Sequence, residues 1–234
     1  MIVDRSIPSS VLAVYAHPDD HEVSCGGTLA AWSAAGARVE VVIMHRGEKG
    51  SADPTIDPEA LAATRAAEVD AAAGVLGIAA VHSFGLADGE SENDLALRAR
   101  LVAVIRRQRP EVVVCPDPTA LFFGDGYVNH RDHRVCGYAT LDAVTPAAAS
   151  PHYFPDAGPA HHVQRIYLTG TLEPDTAIDI TSQLARKVAA VACHASQLGA
   201  GGEWVHELVE HRAGEAGAQV GLRHAELFRL IRLG

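Results

Sequence analysis

The stretch Val11-Leu-Ala-Val-Tyr-Ala-His-Pro-Asp-Asp20 decides the fold class of this chain of 234 residues. It begins with a short apolar run rich in strand-forming side chains, which is typical of a buried β-strand. The polar group His17-Pro-Asp-Asp20 follows directly, and a helix is expected to run from there through Leu29 and Trp32 to Gly36. The stretch therefore predicts a strand, a polar loop and a helix in succession.

The same order of strand and helix recurs in the residues that follow. Three further apolar runs, at 39–44, 81–84 and 112–115, are interpreted as buried strands. Helices are expected between them, one starting at Asp57-Pro58 and one with its apolar face on residues 97–105. Near-continuous apolar strands that alternate with amphipathic helices predict a Rossmann-like, doubly wound α/β fold, with a mostly parallel sheet flanked by helices.

The pattern becomes less regular in the C-terminal part of the chain. A Pro/Ala-rich loop is expected at 146–159, a strand at 164–169 and a helix from Thr181 through Gln197. The segment from Trp204 to Leu233 is interpreted as helical, with a break near Gly214–Gly217.

Length and composition indicate one globular domain. The residues are 48% hydrophobic and 21% charged, which is ordinary for a globular protein. We interpret 1–234 as a single domain, with a core at 1–145 and a C-terminal completion by strand and helix at 160–234.

Several classes of partner are disfavoured by composition. The formal net charge is -10 and no basic patch is present, which argues against nucleic acid as a partner. No apolar run approaches the roughly 20 residues that span a bilayer, and the N-terminus lacks the pattern of a signal peptide. The four cysteines show no CxxC spacing, so they are interpreted as structural thiols. We expect a soluble, cytoplasmic protein.

The loop after the first strand carries carboxylates where a dinucleotide-binding fold would carry Gly-x-Gly-x-x-Gly. His17, Asp19 and Asp20 lie there, and such a group attracts a cation and repels an anion. Imidazole and carboxylate are zinc ligands, and the i, i+3 spacing lets His17 and Asp20 face one point. A third ligand must come from elsewhere, and the best candidate is the segment His130-Arg-Asp-His133 after the fourth strand.

Each of these motifs also has a simpler interpretation. Asp19 and Asp20 could merely cap a helix, and His130 and His133 could be ordinary surface residues. We favour a metal site because both motifs follow strands of one parallel sheet, and ligands bind beyond the carboxyl ends of such strands.

Several segments together carry a resemblance to a known family. They are His17–Asp20, Gly26–Thr28, Arg46–Ser51, Arg65, Glu68, Asp88–Gly89, Asn129–His133 and His194–Gln197. They resemble the PIG-L/LmbE-type zinc-dependent N-acetylglucosaminyl de-N-acetylases, which include deacetylases of the mycothiol and bacillithiol pathways. One departure is that many members have Glu directly after the paired aspartates, where this chain has His21 and then Glu22.

The resemblance implies a hydrolase that removes an N-acetyl group from an N-acetylglucosamine-type amino sugar or a small glycoconjugate. It implies Zn²⁺ bound by His17, Asp20 and His133, although another divalent metal such as Fe²⁺ is compatible with these ligands. The partner would be a small-molecule N-acetyl sugar. Members of the family often form trimers or hexamers, which makes a homo-oligomer possible, but the sequence leaves the oligomeric state open.

The resemblance also implies catalytic roles. Asp19 would be the general base, and His130 would stabilise the oxyanion or donate a proton, with Asp132 beside it. These roles agree with amide hydrolysis, because the attacking water must lose a proton, the carbonyl oxygen gains charge and the leaving amine needs a proton.

Four further residues are candidates for contact with the substrate. Arg65 and His194 are suggested by the resemblance, while Asp88 and Glu48 follow strands at the edge where ligands bind. The loops 46–56, 86–92 and 146–159 are expected to form the rim of the pocket. These loops do not identify the substrate.

Two other functions remain open on the sequence alone. His/Asp sites also serve metal-dependent phosphoesterases, although two-metal versions need more bridging carboxylates than this sequence offers. A non-catalytic sugar-binding module is the other alternative, but mere binding does not require Asp19 beside a metal.

Overall fold

The computed structural model describes residues 1–199 and 204–233. The strands are β1 (Ile2–Val3), β2 (Ser10–Tyr15), β3 (Arg38–His45), β4 (Ala80–Leu86), β5 (Val112–Pro116), β6 (Phe122–Phe123), β7 (Tyr127–Val128), β8 (Arg165–Thr169), β9 (Thr176–Asp179) and β10 (Ala225–Arg232). The helices are α1 (Asp20–Ala34), α2 (Pro58–Leu76), α3 (Leu95–Gln108), α4 (Arg131–Asp142), α5 (Leu184–Ala192), α6 (Ala195–Leu198) and α7 (Trp204–Ala218).

Eight of the strands form one twisted sheet in the order β1-β9-β10-β8-β5-β2-β3-β4. The pairs from β8 to β4 are parallel, whereas β10 runs antiparallel to both of its neighbours. The strand order reverses between β2 and β5, and such a reversal opens a crevice at the carboxyl ends of the strands. The predicted doubly wound, mostly parallel α/β fold is confirmed.

The core consists of two layers, one on each face of the sheet. Leu12 and Val14 of β2 pack with α3 and α4 on one face, and Val11 and Ala13 pack with Trp32 of α1 on the other. Burial on both faces explains why these strands are apolar at nearly every position. Among the described residues, no helix combines the length and apolarity needed to cross a bilayer.

The C-terminal segment differs from the sequence prediction. Residues 204–233 were expected to be helical, but only α7 is, and β10 then enters the sheet between β9 and β8. The turn between them is tight, because a Cβ atom on Gly217 would lie 2.6 Å from the carbonyl oxygen of Leu222. The helix predicted from Thr181 through Gln197 is also interrupted, and its regular part is α5 followed by the short α6.

The loop at 146–159 lies away from the carboxyl ends of the strands, so its predicted place on the pocket rim is wrong. Arg106, in the last turn of α3, is buried and donates hydrogen bonds to six backbone carbonyl groups of this loop. Because α3 runs back from the end of β4 to the start of β5, this anchor holds the loop at the opposite edge of the sheet.

Candidate metal centre

Three side chains predicted as metal ligands converge at the carboxyl ends of β2 and β5. His17 follows β2, Asp20 begins α1 and His133 lies in the first turn of α4. His17 Nδ1 is 3.3 Å from His133 Nε2, which is 3.2 Å from Asp20 Oδ1. Asp20 Oδ2 is 3.5 Å from His17 Nδ1. These atoms form a group within 4.8 Å of one another, as a shared cation requires.

The hydrogen bonds of the two imidazole rings fix which nitrogen atoms carry protons. Asn129 donates through Nδ2 to Ala120, so its Oδ1 is the acceptor 3.1 Å from His133 Nδ1. In the same way, His17 Nε2 donates to the Asp132 carboxylate at 3.2 Å. In the neutral rings that metal binding requires, His17 Nδ1 and His133 Nε2 are therefore the lone-pair atoms, and they face each other and the Asp20 carboxylate. Three acceptors without a donor fit a bound cation.

A second possible donor group contains His17, His130 and Asp132. It fits a cation less well, because Asp132 is fully buried and its Oδ2 already accepts from the Gly89 backbone amide at 2.7 Å and from His17. Burial raises the pKa of Asp132, but these two hydrogen bonds lower it well below its ordinary value. The arrangement makes Asp132 the carboxylate that orients the His17 ring. This favours a positioning role for Asp132 toward His17, and Asp132 also lies beside His130 as the sequence suggested, with its Oδ2 3.7 Å from His130 Nδ1.

Asp19 lies beside the three converging side chains in a strained conformation. Its backbone has φ 92° and ψ -25°, a left-handed geometry that residues with a side chain rarely adopt. Its side chain is 27% exposed and accepts a hydrogen bond from Arg65 at 3.1 Å. Burial and the neighbouring Asp20 charge raise the pKa of Asp19 to about 6 in the metal-free chain, against the lowering effect of Arg65.

His130 is the N-cap residue of α4 and is about half exposed. Its Nδ1 accepts from the Asp132 backbone amide at 3.3 Å, so the proton of the neutral ring lies on Nε2. Burial and the nearby His17 lower the pKa of His130. A neutral ring with an available Nε2–H is able to donate a hydrogen bond to a substrate oxygen.

Arg65 is only 4% exposed, which leaves little surface for contact with a substrate. Its guanidinium donates to the carbonyl groups of Pro18 and Gly47 as well as to Asp19. The geometry favours a role in holding Asp19. Direct contact of Arg65 with a substrate stays a prediction without structural support.

Asp88 and Glu48 are likewise buried and bind protein groups. Asp88 accepts from the backbone amides of Gly47 and Lys49, and Glu48 accepts from the backbone amide of Asp88 at 2.9 Å. The two carboxylates fasten the loop after β3 to the loop after β4. Their predicted contact with a substrate is not apparent in this arrangement.

His194 belongs to a buried polar cluster behind Asp19. Its Nε2 lies 3.1 Å from Glu22 Oε1, and Glu22 Oε2 lies 2.9 Å from His21 Nδ1. All three side chains are almost completely buried. Burial raises the pKa of Glu22, yet the two imidazoles lower it to about 2. Glu22, which stands one position later than the glutamate of many family members, thus has an imidazole partner on each side. A substrate contact by His194 stays a prediction.

One wall of the site was not predicted from the sequence. A cavity of about 580 Å³ borders Asp19, Asp20 and His133, and the hairpin of β6 and β7 places Phe123 and Tyr127 on it. The centroids of these two aromatic rings are 5.9 Å apart. The sequence does contain a pattern that predicts this hairpin, because aromatic residues on both sides of Gly124-Asp-Gly126 are typical of a β-hairpin.

Comparisons with known proteins agree with this geometry. Residues 12–144 match the family model described as PIG-L, GlcNAc-PI de-N-acetylase. A diacetylchitobiose deacetylase from Thermococcus kodakarensis is 31% identical over 190 residues, which are 80% of this chain and 69% of the relative.

Two solved structures share the fold over nearly the whole chain. The N,N'-diacetylchitobiose deacetylase of Pyrococcus horikoshii, solved with an inhibitor, has a TM-score of 0.87 at 28% identity, covering 96% of this chain and 84% of that one. The 4-carboxy-2-hydroxymuconate hydratase GalB of Pseudomonas putida has a TM-score of 0.79 at 25% identity, with 97% of each chain covered. The fold therefore occurs with more than one chemistry, and the site must decide the function.

Proposed function

Because the chain belongs to the PIG-L family of de-N-acetylases, we propose that it is a metal-dependent hydrolase that removes the acetyl group from an N-acetylglucosamine-type amino sugar or a small glycoconjugate. The observation that carries this proposal is the convergence of two imidazole lone pairs and one carboxylate beside Asp19. Amide hydrolysis needs such a cation site and a neighbouring base.

His17, Asp20 and His133 would hold the metal, for which we propose Zn²⁺, with Fe²⁺ as the alternative. When bound there, a divalent ion supplies Lewis-acid chemistry, in that it acidifies water and polarises an amide carbonyl. By accepting from His17 Nε2 and His133 Nδ1, Asp132 and Asn129 turn the other nitrogen atom of each ring toward the proposed metal position.

Asp19 would be the general base. Arg65 donates to its Oδ2, so Oδ1 is the atom that takes the proton from the attacking water. Asp19 lies at the left-handed turn between β2 and α1, directly before the proposed ligand Asp20. The proton held at Asp19 can then pass to the leaving amine.

His130 would stabilise the oxyanion that develops at the acyl carbonyl. Its Nδ1 accepts from the backbone of α4, which leaves Nε2–H as the donor toward the substrate. Donors of this kind typically contribute about 100- to 1,000-fold to the rate. A neutral donor suffices for this role, and the lowered pKa of His130 agrees with it.

The proposal is tested by acetate release from N,N'-diacetylchitobiose and N-acetylglucosamine after removal and return of the metal. We expect the chelated protein to be inactive and to recover full activity with about one equivalent of Zn²⁺. Full activity in metal-free, folded protein would contradict the proposal.

A phosphate monoester and an unsaturated dicarboxylate in the same panel test phosphoesterase and hydratase chemistry. Light scattering of the same sample tests for a trimer or hexamer.

A further inference from the structure

A second cavity adjoins the metal centre. It has a volume of about 490 Å³, lies between α5, α7 and β10, and shares Asp19, Val23, Ser24 and Arg212 with the cavity of the metal site. The proposed base therefore stands where the two cavities meet. A substrate that is bound next to Asp19 can therefore reach both cavities.

The linings of the two cavities differ in chemistry. The metal-site cavity is bordered by the polar side chains of Asp19, Asp20 and His133 and by the aromatic pair Phe123 and Tyr127. The polar groups of Asp117, Asn129 and Thr169 on its wall are already hydrogen-bonded to other protein groups. The second cavity is lined mainly by apolar side chains: Val191, Leu198, Trp204, Val205, Leu208, Val209, Ala213 and Ala216.

The two buried charges in the second cavity neutralise each other. Lys187 Nζ donates to Glu226 Oε1 at 2.5 Å and to the carbonyl oxygen of Val23 at 2.8 Å. Glu226 also accepts from the backbone amides of Gly27 and Thr28. Lys187 and Glu226 already have partners, and the other two charged side chains of the lining, Asp19 and Arg212, belong to the boundary shared with the metal-site cavity. Most of the remaining wall is apolar and favours an apolar ligand.

An amide substrate has two substituents, which diverge from the bond that is cleaved. The inference rests on the proposed function, in which the amine side is a sugar and the carbonyl carbon lies next to Asp19. The metal-site cavity suits the sugar, because the aromatic rings of Phe123 and Tyr127 can pack against a pyranose ring. The acyl group then points toward the apolar cavity.

We propose that the cavity between α5, α7 and β10 is an acyl-chain subsite, and that the enzyme prefers N-acyl amino sugars with chains longer than acetyl, such as hexanoyl. The methyl group of an acetyl substrate would barely enter this space. A longer chain would bury its methylene groups against Leu208, Val209 and Val205. Each buried methylene strengthens binding by about fourfold.

The test compares kcat/KM for N-acetyl-, N-butyryl- and N-hexanoylglucosamine with the zinc-loaded enzyme. We expect kcat/KM to rise by about fourfold for each added methylene. The rise should come from KM, because chain burial stabilises the bound substrate and the transition state alike. A hexanoyl substrate that is cleaved no better than the acetyl substrate, while acetate is released normally, would overturn this inference and leave the proposed function intact.

A matched pair of variants on α7 tests whether the preference for the longer acyl chain depends on this cavity. Leu208→Trp fills the cavity and should lower the ratio of hexanoyl to acetyl kcat/KM by about tenfold, which corresponds to nearly two methylenes. His211→Trp adds the same side chain on the exposed face of α7 and should leave the ratio unchanged. If the ratio of hexanoyl to acetyl kcat/KM were the same in Leu208→Trp and in the wild type, the assignment of the cavity as an acyl-chain subsite would be overturned. Hydrolysis of none of the substrates by the wild type would overturn the proposed function and this inference with it.

Discussion

Asp19 shows how a backbone conformation can place a side chain for chemistry. Its left-handed geometry costs on the order of 1–3 kcal/mol and persists only where the surroundings hold it. Arg65 supplies that support, because it donates both to the carbonyl oxygen of Pro18 and to the Asp19 carboxylate. In the proposed mechanism, the turn lets the two adjacent aspartates act separately, with Asp20 as a metal ligand and Asp19 as the base for the attacking water.

Replacing Asp19 separates metal binding from turnover. Asp19→Asn should keep a full equivalent of zinc and lower kcat by about 100- to 10,000-fold, because the amide cannot accept the proton. Elemental analysis and acetate release measure the two effects. Asp156→Asn, an exposed change in the loop anchored by Arg106, is the control and should alter neither. Loss of zinc in parallel with activity would make Asp19 a ligand instead of a base.

Asp132 is expected to act through His17. Asp132→Asn should weaken zinc binding by about 10- to 100-fold, since the carboxylate orients the ring and fixes its proton on Nε2. Competition with a chromophoric chelator measures the affinity. An unchanged zinc affinity with a lower kcat would instead support the direct partnership with His130 that the sequence suggested.

The candidate metal ligands could be predicted from the sequence because each motif is local. Which ring nitrogen of each histidine carries the proton could not be predicted. The proton on His17 depends on Asp132, which is 115 residues away along the chain. Burial was equally hidden, because the sequence does not show that the side chains of Arg65 and Glu48 are almost completely buried. The residues of a motif are visible in sequence, whereas the partners that orient them depend on the fold.

At the level of elements, a break in α1 joins the metal loop to the C-terminal strand. Cys25 has non-helical angles of φ -144° and ψ 20° inside this helix. Glu226 of β10 fills the break, since its two carboxylate oxygens accept from the backbone amides of Gly27 and Thr28. The part of α1 after the break is thereby fastened to β10, and Lys187, which donates both to Glu226 and to the carbonyl oxygen of Val23, links the part before the break to the same carboxylate.

Removal of this carboxylate should destabilise the protein strongly. Glu226→Ala leaves the Lys187 ammonium group buried without its partner, which should lower the free energy of unfolding by about 3–5 kcal/mol. Urea denaturation measures this change. Glu173→Ala removes an exposed partner of Arg229 on the same strand and should cost no more than about 1 kcal/mol. A similar small loss for both variants would show that the break in α1 does not depend on Glu226.

The elements that sequence reasoning predicted best are those with one unambiguous pattern. The strands β2, β3 and β5 are apolar at nearly every position, because both of their faces are covered. The strand β10 was misread, since its apolar residues Leu227, Phe228 and Leu230 fit helical spacing as well as a strand buried on both faces. The short strands of the β6–β7 hairpin carry too few residues for a periodic pattern.

On the scale of the whole molecule, the sheet unites the two ends of the chain. The strand β1 pairs with β9, and Glu111, just before β5, accepts from Ser9 and from Arg165. Burial raises the pKa of Glu111, but the hydrogen bonds from Ser9 and the Arg165 guanidinium lower it below its ordinary value. This carboxylate therefore contributes stability only while it is ionised.

The contribution of Glu111 should disappear in acid. Its pKa is lower in the folded than in the unfolded chain, so its stabilisation is present above the unfolded value of about 4.3 and is lost as the pH falls through the folded value. The free energy of unfolding of Glu111→Gln should therefore approach that of the wild type as the pH falls below about 4. Urea denaturation at several pH values measures the difference. A difference in the free energy of unfolding between the wild type and Glu111→Gln that stayed constant as the pH fell would contradict a stabilising role of the ionised Glu111 carboxylate.

The central claim is that one divalent ion is held jointly by the loop after β2 and by α4, beside Asp19. Anomalous diffraction at the zinc edge from crystals of the zinc-loaded protein tests it most directly. The account predicts one peak about 2.0–2.1 Å from both His17 Nδ1 and His133 Nε2, with an Asp20 oxygen at about 2.0–2.2 Å. A peak bound by His130 and Asp132, or a peak far from His133, would contradict it.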